Sequence, residues 1–182
     1  MSTKKVITRK IVIPNNITLE KDKGLIVLSS HKGKLSRRFS SPVIDIEISQ
    51  DTLIVSSKQK PSKNIKRTIN TAVSHIKNMV SGLQNPYTYR LKIVSGHFPM
   101  SVTLDKDQVV IKNFLGEKVP RKAKILSGVK AEIKGDEIII SSIDKELAGQ
   151  SAANIEMATR ITNKDRRIFS DGIFITQKAQ RS

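Results

Sequence analysis

Residues 44–57, IDIEISQDTLIVSS, and residues 129–142, VKAEIKGDEIIISS, stand 85 positions apart and align without a gap. Six of the 14 positions are identical: Glu47/Glu132, Ile48/Ile133, Asp51/Asp136, Ile54/Ile139 and the two closing serines. Apolar residues face apolar residues at Ile44/Val129, Leu53/Ile138 and Val55/Ile140. The same offset of 85 joins ITLEKD at 17–22 to VTLDKD at 102–107. With a slip of one or two residues it also brings HKGKLSRR (31–38) onto LGEKVPRK (115–122). A duplication accounts for this better than convergent strand–turn–strand chemistry, and two copies are too few for a solenoid.

Each copy reads as a series of strands closed by a helix. In YTYRLKIV (87–94), Tyr87, Tyr89, Leu91 and Ile93 alternate with Thr88, Arg90 and Lys92, the period of two expected of a half-buried strand. Turn signals at 21–24, 49–51, 105–107 and 134–136 each separate two apolar runs, which predicts antiparallel hairpins. Residues 61–82 place Ile65, Ile69, Ala72, Val73, Ile76, Met79 and Val80 on one helical stripe, with Pro61 near the start and Gly82 at the stop. In the second copy Asp144 is the expected N-cap, with Leu147, Ala148, Ala152, Ile155, Ala158 and Ile161 as the stripe and Asn163 as its end. The predicted fold class is α+β. It consists of two duplicated domains, 1–84 and 85–182, each a small antiparallel β-sheet covered by one α-helix. The join falls at Leu83-Gln84-Asn85-Pro86, because a proline pushes its predecessor out of the helical region.

Charge decides the class of partner. The 182 residues hold 33 Lys+Arg against 16 Asp+Glu, a net charge of +17. Residues 1–85 carry 16 basic and 5 acidic groups, and residues 86–182 carry 17 and 11, so both halves are basic. Such an excess favours a polyanion. No long basic amphipathic helix accompanies it, which disfavours an anionic membrane surface and leaves nucleic acid. The absence of cysteine excludes disulfides and thiolate metal sites. No run approaches the roughly 20 apolar residues of a membrane span, and the N-terminal stretch has no signal-peptide core. The expected setting is therefore cytosolic.

Nothing resembles a catalytic constellation. His31, His75 and His97 have no metal-ligand spacing to one another or to carboxylates, SSHKGK (29–34) lacks the pattern of a phosphate loop, and Asp171-Gly172 reads as a turn. No catalytic residue, metal or cofactor is expected. The basic runs are richer: Lys32, Lys34, Arg37 and Arg38; Lys58, Lys60, Lys63, Lys66 and Arg67; Lys118, Arg121, Lys122 and Lys124; and Arg160, Lys164, Arg166 and Arg167. Cations at turns can reach phosphates while sheet and helix bury their apolar sides elsewhere. Aromatic residues make up only 4% of the chain and tryptophan is absent, so base-stacking platforms are poorly supported. Nor is there a helix with a strongly basic groove-reading face. Shape and phosphate recognition of structured RNA remains.

The stretch NKDRRIFSDGIFITQK (163–178), with NFLGEKVPR (113–121), SGHFP (95–99) and HIKNMVSG (75–82), closely resembles the large-subunit ribosomal protein six family in its archaeal and eukaryotic form, which eukaryotes number nine. The resemblance covers nearly the whole chain. Lys164, Arg167, Phe169, Asp171, Gly172, Ile173, Phe174 and Lys178 carry it most specifically. It departs at Met157, where the family usually has glutamine, and at Ser29-Ser30 in place of Gly-Pro. The resemblance implies two duplicated α+β domains and a structural, non-catalytic role in the large ribosomal subunit of the cytosolic ribosome. The implied partner is ribosomal RNA near the sarcin-ricin loop and the base of the stalk, with neighbouring ribosomal proteins and translation factors close by. It puts most of the RNA contact in the C-terminal domain: Lys164, Arg166, Arg167 and Lys178 first, then Arg121 and Lys122. Lys118, Lys32, Lys34, Arg37 and Arg38 are further cations for phosphates. Asn163 and Asn113 are expected to hydrogen-bond backbone or sugar, and Phe169 and Phe174 to pack the loop. The alternative is a structured-RNA-binding module acting outside the ribosome.

Overall fold

A computed structural model describes residues 7–22, 24–39, 41–49, 52–60, 62–165 and 167–179. The chain divides into two compact units, Met1–Asn85 and Pro86–Ser182. Unit 1 contains β1 (Thr8–Val12), β2 (Thr18–Asp22), β3 (Leu25–Ser30), β4 (Gly33–Arg38), β5 (Ile44–Ser49), β6 (Thr52–Ser57) and α1 (Lys63–Gln84). Unit 2 contains β7 (Tyr87–Val94), β8 (Ser101–Asp105), β9 (Gln108–Lys112), β10 (Arg121–Lys124), β11 (Lys130–Lys134), β12 (Glu137–Ser142), α2 (Lys145–Ala158) and β13 (Gly172–Gln177). All strand pairs are antiparallel among the described residues, and the fold is α+β.

The duplication is visible as topology. Unit 1 has sheets ordered β1-β6-β5 and β2-β3-β4, and unit 2 repeats them as β7-β12-β11 and β8-β9-β10, with β13 added on the free side of β7. Each unit therefore has two sheets where one was expected, because the hairpin of its second and third strands takes the fourth as partner instead of joining the others. The offset of 85 holds residue for residue in one hairpin: Ser49 faces Thr52 as Lys134 faces Glu137. It does not hold in the other. Asp22 faces Leu25 and Asp105 faces Gln108, so the structural equivalent of Asp22 is Asp105, not the Asp107 that the matching letters suggest. Register follows the hydrogen-bonded ladder and the buried face, and Leu28 and Ile111, each 0% exposed, set that face here.

Burial explains the strands. In β6 and β12 the alternating Leu53/Val55 and Ile138/Ile140 are all 0% exposed, and each such side chain contributes on the order of 2 kcal/mol relative to exposure. β7 buries Tyr87 and Leu91 and turns Thr88, Arg90 and Lys92 outward, as its alternation predicted. In unit 1 the buried stripe of α1 (Ile65, Ile69, Ala72, Ile76, Met79, Val80) packs most against β6, then against β1, β3 and β4, and least against β5. In unit 2, Ala148, Ala152 and Ile155 of α2 join one core with Leu91, Val109, Ile111, Phe114, Ile138, Ile140 and Ile173. No described helix is long and apolar enough to cross a membrane.

The helix ends differ from expectation. Ser62 caps α1, its hydroxyl accepting from the Ile65 N–H at 3.3 Å, while Pro61 lies outside the described residues. The helix passes through Gly82 to Gln84 because Gly82 and Leu83 are buried with the stripe. It stops only at Asn85, which Pro86 holds in an extended conformation. Leu83 and Gln84 thus belong to the helix rather than to a linker. Asp144 caps α2 as expected, accepting from the Glu146 N–H at 2.8 Å. That helix ends at Ala158, leaving Ile161 and Asn163 beyond it. The Thr159 hydroxyl accepts from the Ile173 N–H at 2.9 Å, which turns the chain toward β13. Asp51, Lys23 and Gln50, named in the repeat and its turns, lie outside the described residues.

Candidate nucleic-acid interface

Between α2 and β13 the chain makes an exposed basic excursion whose base is fixed by buried polar groups. Asp171, with its side chain 3% exposed, is the anchor. Its carboxylate accepts from the Gly96 and His97 backbone N–H groups, the latter at 2.9 Å, and lies 2.7 Å from His97 Nδ1. Burial pushes this carboxyl up, but the His97 and Gly96 hydrogen bonds and the nearby imidazole outweigh it and hold the group below its usual range. Thr159, also buried, accepts from Ile173, and Glu156 Oε1 accepts from the Ile175 N–H at 3.0 Å. The excursion is thus tied at both ends to β13 and to the β7–β8 connection, which lowers the entropy it must lose when a partner binds.

On this base the cations are arranged in order. Lys164 Nζ sits 5.0 Å from the Phe169 ring centroid, and that ring packs 5.2 Å from His97. Phe169 therefore packs the loop, as expected. Arg167 pairs with Asp165 at 2.7 Å while its side chain is 90% exposed, and this pairing holds the Asp165 carboxyl low. A pair so open to water is weakly held, and Arg167 can exchange the carboxylate for a phosphate. Asn163 is exposed in a left-handed turn (φ 58°), and Lys178 is exposed just after β13. Arg166 lies outside the described residues. Phe174 is 45% exposed, not packed as expected, because it stands opposite Lys92 on the outward face of the sheet. With Met157 and Ile161 it lines a groove of about 690 Å³ at the foot of the excursion.

Arg121 has a different job. Its guanidinium grips Glu117 with two hydrogen bonds of 2.8 and 2.6 Å and donates to the Ala158 and Arg160 carbonyls at 2.9 and 3.1 Å. It also lies 4.3 Å over the Phe114 ring. These bonds satisfy carbonyls left open at the end of α2 and hold Glu117 below the usual carboxylate range. Arg121 is therefore a clamp that positions the excursion. Lys122 is exposed on β10 and Lys118 in the preceding loop. The Asn113 amide, in a left-handed turn (φ 59°), donates to the Pro99 carbonyl at 2.9 Å. It thus ties its own turn to the chain before β8.

In unit 1, Lys34 and Arg38 are exposed on β4 and alternate with half-buried Arg37, so these cations stand on a strand rather than a turn. Lys32, in the loop before β4, donates its ammonium to the Gln84 carbonyl at the end of α1. The roles of Asp171, Thr159 and Glu156 were not legible in the sequence. Gly96-His97 and Asp171 both lie in distinctive motifs, but nothing in a linear reading joins residues 74 positions apart.

The family model described as Ribosomal protein L6 matches residues 98–172, which include this excursion. The chain is 42% identical over 174 residues to the large ribosomal subunit protein uL6 of Methanococcus vannielii, covering 96% of this chain and 95% of that protein. It is 42% identical to its counterpart in Methanocella arvoryzae over 180 residues, covering 98% and 100%. With that of Haloarcula marismortui it shares 40% over 172 residues, covering 94% and 96%.

Proposed function

The chain belongs to the ribosomal protein L6 family, and from that membership we propose that it is a structural constituent of the large ribosomal subunit in the cytosol, with folded ribosomal RNA as its ligand. On this reading the 159–172 excursion docks near the sarcin-ricin loop and the stalk base, among neighbouring ribosomal proteins, and braces RNA that translation factors contact. The protein acts as a scaffold, not a catalyst. One observation carries the reading. A run holding Lys164 and Arg167 is exposed, yet its ends are pinned by the buried Asp171 and Thr159 and by Arg121. Such a loop presents its cations in a fixed pattern, which recognition by shape and phosphate position requires. Asn163, Lys118, Lys122 and Lys178 complete the cationic and polar rim of this unit, and Lys32, Lys34, Arg37 and Arg38 belong to that of unit 1.

The reading is tested in two steps. The endogenous protein should co-sediment with large subunits through a moderate salt wash; recovery mainly in the soluble pool would favour a module working outside the ribosome. Neutralising Lys164 and Arg167 should lower the salt slope of binding to large-subunit ribosomal RNA by roughly one unit per lost phosphate contact. An unchanged slope removes both residues from the interface.

A further inference from the structure

We propose that unit 1 carries a second RNA-backbone site, a basic trough centred on Arg67 between β4 and the outer face of α1, which takes successive phosphates independently of the 159–172 excursion. This rests on ribosomal RNA being the ligand and adds a contact in the other unit. Two concavities, of about 520 and 380 Å³, share Arg67, Thr71 and His75, so they form one continuous depression. The first runs along α1 and takes in Lys63 and Lys66; the second reaches β4 and takes in Arg38. No carboxylate lines either among the described residues.

Counter-charge is sparse along the outer face of α1 among the described residues. Through its 22 residues α1 has no Asp or Glu, yet it carries Lys63, Lys66, Arg67 and Lys77, a more basic outer face than the sequence reading expected. Among the described residues, Arg38, Lys63, Lys66 and Arg67 form no ion pair, whereas Arg90, Arg121 and Arg167 of unit 2 each hold a carboxylate. Cations gathered in a concavity without counter-charge repel one another, and a polyanion relieves that cost as its own counterions are released. The spacing suits a nucleic-acid strand. Lys63 and Arg67 stand one helical turn apart, about 6 Å along the axis, the order of separation of successive phosphates. The exposed face of α1 otherwise offers amides and hydroxyls where a protein-binding helix would offer aromatic or aliphatic anchors.

The test uses the full chain and protein-free large-subunit ribosomal RNA. The K63Q/K66Q/R67Q variant, altered only at exposed positions, should melt with the wild type. It should show a salt slope shallower by about 2.7, so its affinity should fall about 40-fold less than that of the wild type between 50 and 200 mM salt. The K164Q/R167Q variant should retain the trough's share, and the combined variant should lose both. Independently of any substitution, Lys63 and Lys66 should resist amine acetylation in the complex and in assembled subunits and regain reactivity after ribonuclease treatment. A trough variant with the wild-type slope would overturn the proposal. So would protection that survives ribonuclease, which would mean that an acidic protein covers the trough. Wild-type protein that failed to bind the RNA at all would instead overturn the ribosomal-RNA reading itself, and this proposal with it.

Discussion

Replacing Asp171 by alanine isolates what holds the basic excursion in place. The substitution removes three hydrogen bonds, from the Gly96 N–H, the His97 N–H and the His97 ring, and leaves the two backbone donors facing an apolar methyl. Hydrogen bonds to a charged group are worth about 1.5–3 kcal/mol each, and the loss is reduced where water can replace the carboxylate. His97 is 39% exposed, so water reaches part of the site. We take a net cost of about 3 kcal/mol. In a unit of roughly 100 residues this lowers the melting temperature by about 15 °C. The assay is thermal unfolding of the full chain with hydrogen exchange read separately for each unit, so that the loss can be assigned to unit 2. The pH dependence gives a second readout with a defined sign. The Asp171 carboxyl is held below its ordinary value near 3.8, so its stabilisation is complete above that value and disappears as pH falls through the lower native one. The wild-type and variant curves should therefore converge in acid. A shift under about 3 °C at neutral pH, or a gap that persists in acid, would refute the anchoring role.

Two further outcomes follow from the same geometry. Arg121→Ala should lower the stability of unit 2 by about 2 kcal/mol, since it opens the Ala158 and Arg160 carbonyls and strands Glu117; calorimetry showing no loss, with only a weaker RNA salt slope, would make it a phosphate ligand instead. Leu53→Ala and Ile138→Ala, at equivalent fully buried positions, should each cost about 3 kcal/mol, and hydrogen exchange should confine each loss to its own unit; a loss spread evenly over both would argue against independent cores.

Much of this molecule could be read from its residues because the relevant physics is local. Alternation in 87–94, the apolar stripe from Ile65 to Val80, the Asp144 cap and the turns at 105–107 and 134–136 all depend on neighbours within one strand or one helical turn, and the chain forms those elements at those places. The reading failed where distant contacts decided. The letters of 17–22 and 102–107 match at one offset while the ladders pair at another, since register answers to the buried face and not to identity. Gly82 did not stop α1, because packing of Leu83 outweighed a weak propensity.

The sequence by itself determined the duplication, the α+β class, the family and the cationic character, because repetition, period and net charge are properties of order and composition. Only the tertiary structure decided which cations are committed to the protein and which face outward. Arg121 and Arg167 are indistinguishable as letters, yet one clamps the end of α2 and the other stands 90% exposed. The difference arises from the Ala158 and Arg160 carbonyls, 37 and 39 positions away, which folding brings to 2.9 and 3.1 Å from the Arg121 guanidinium.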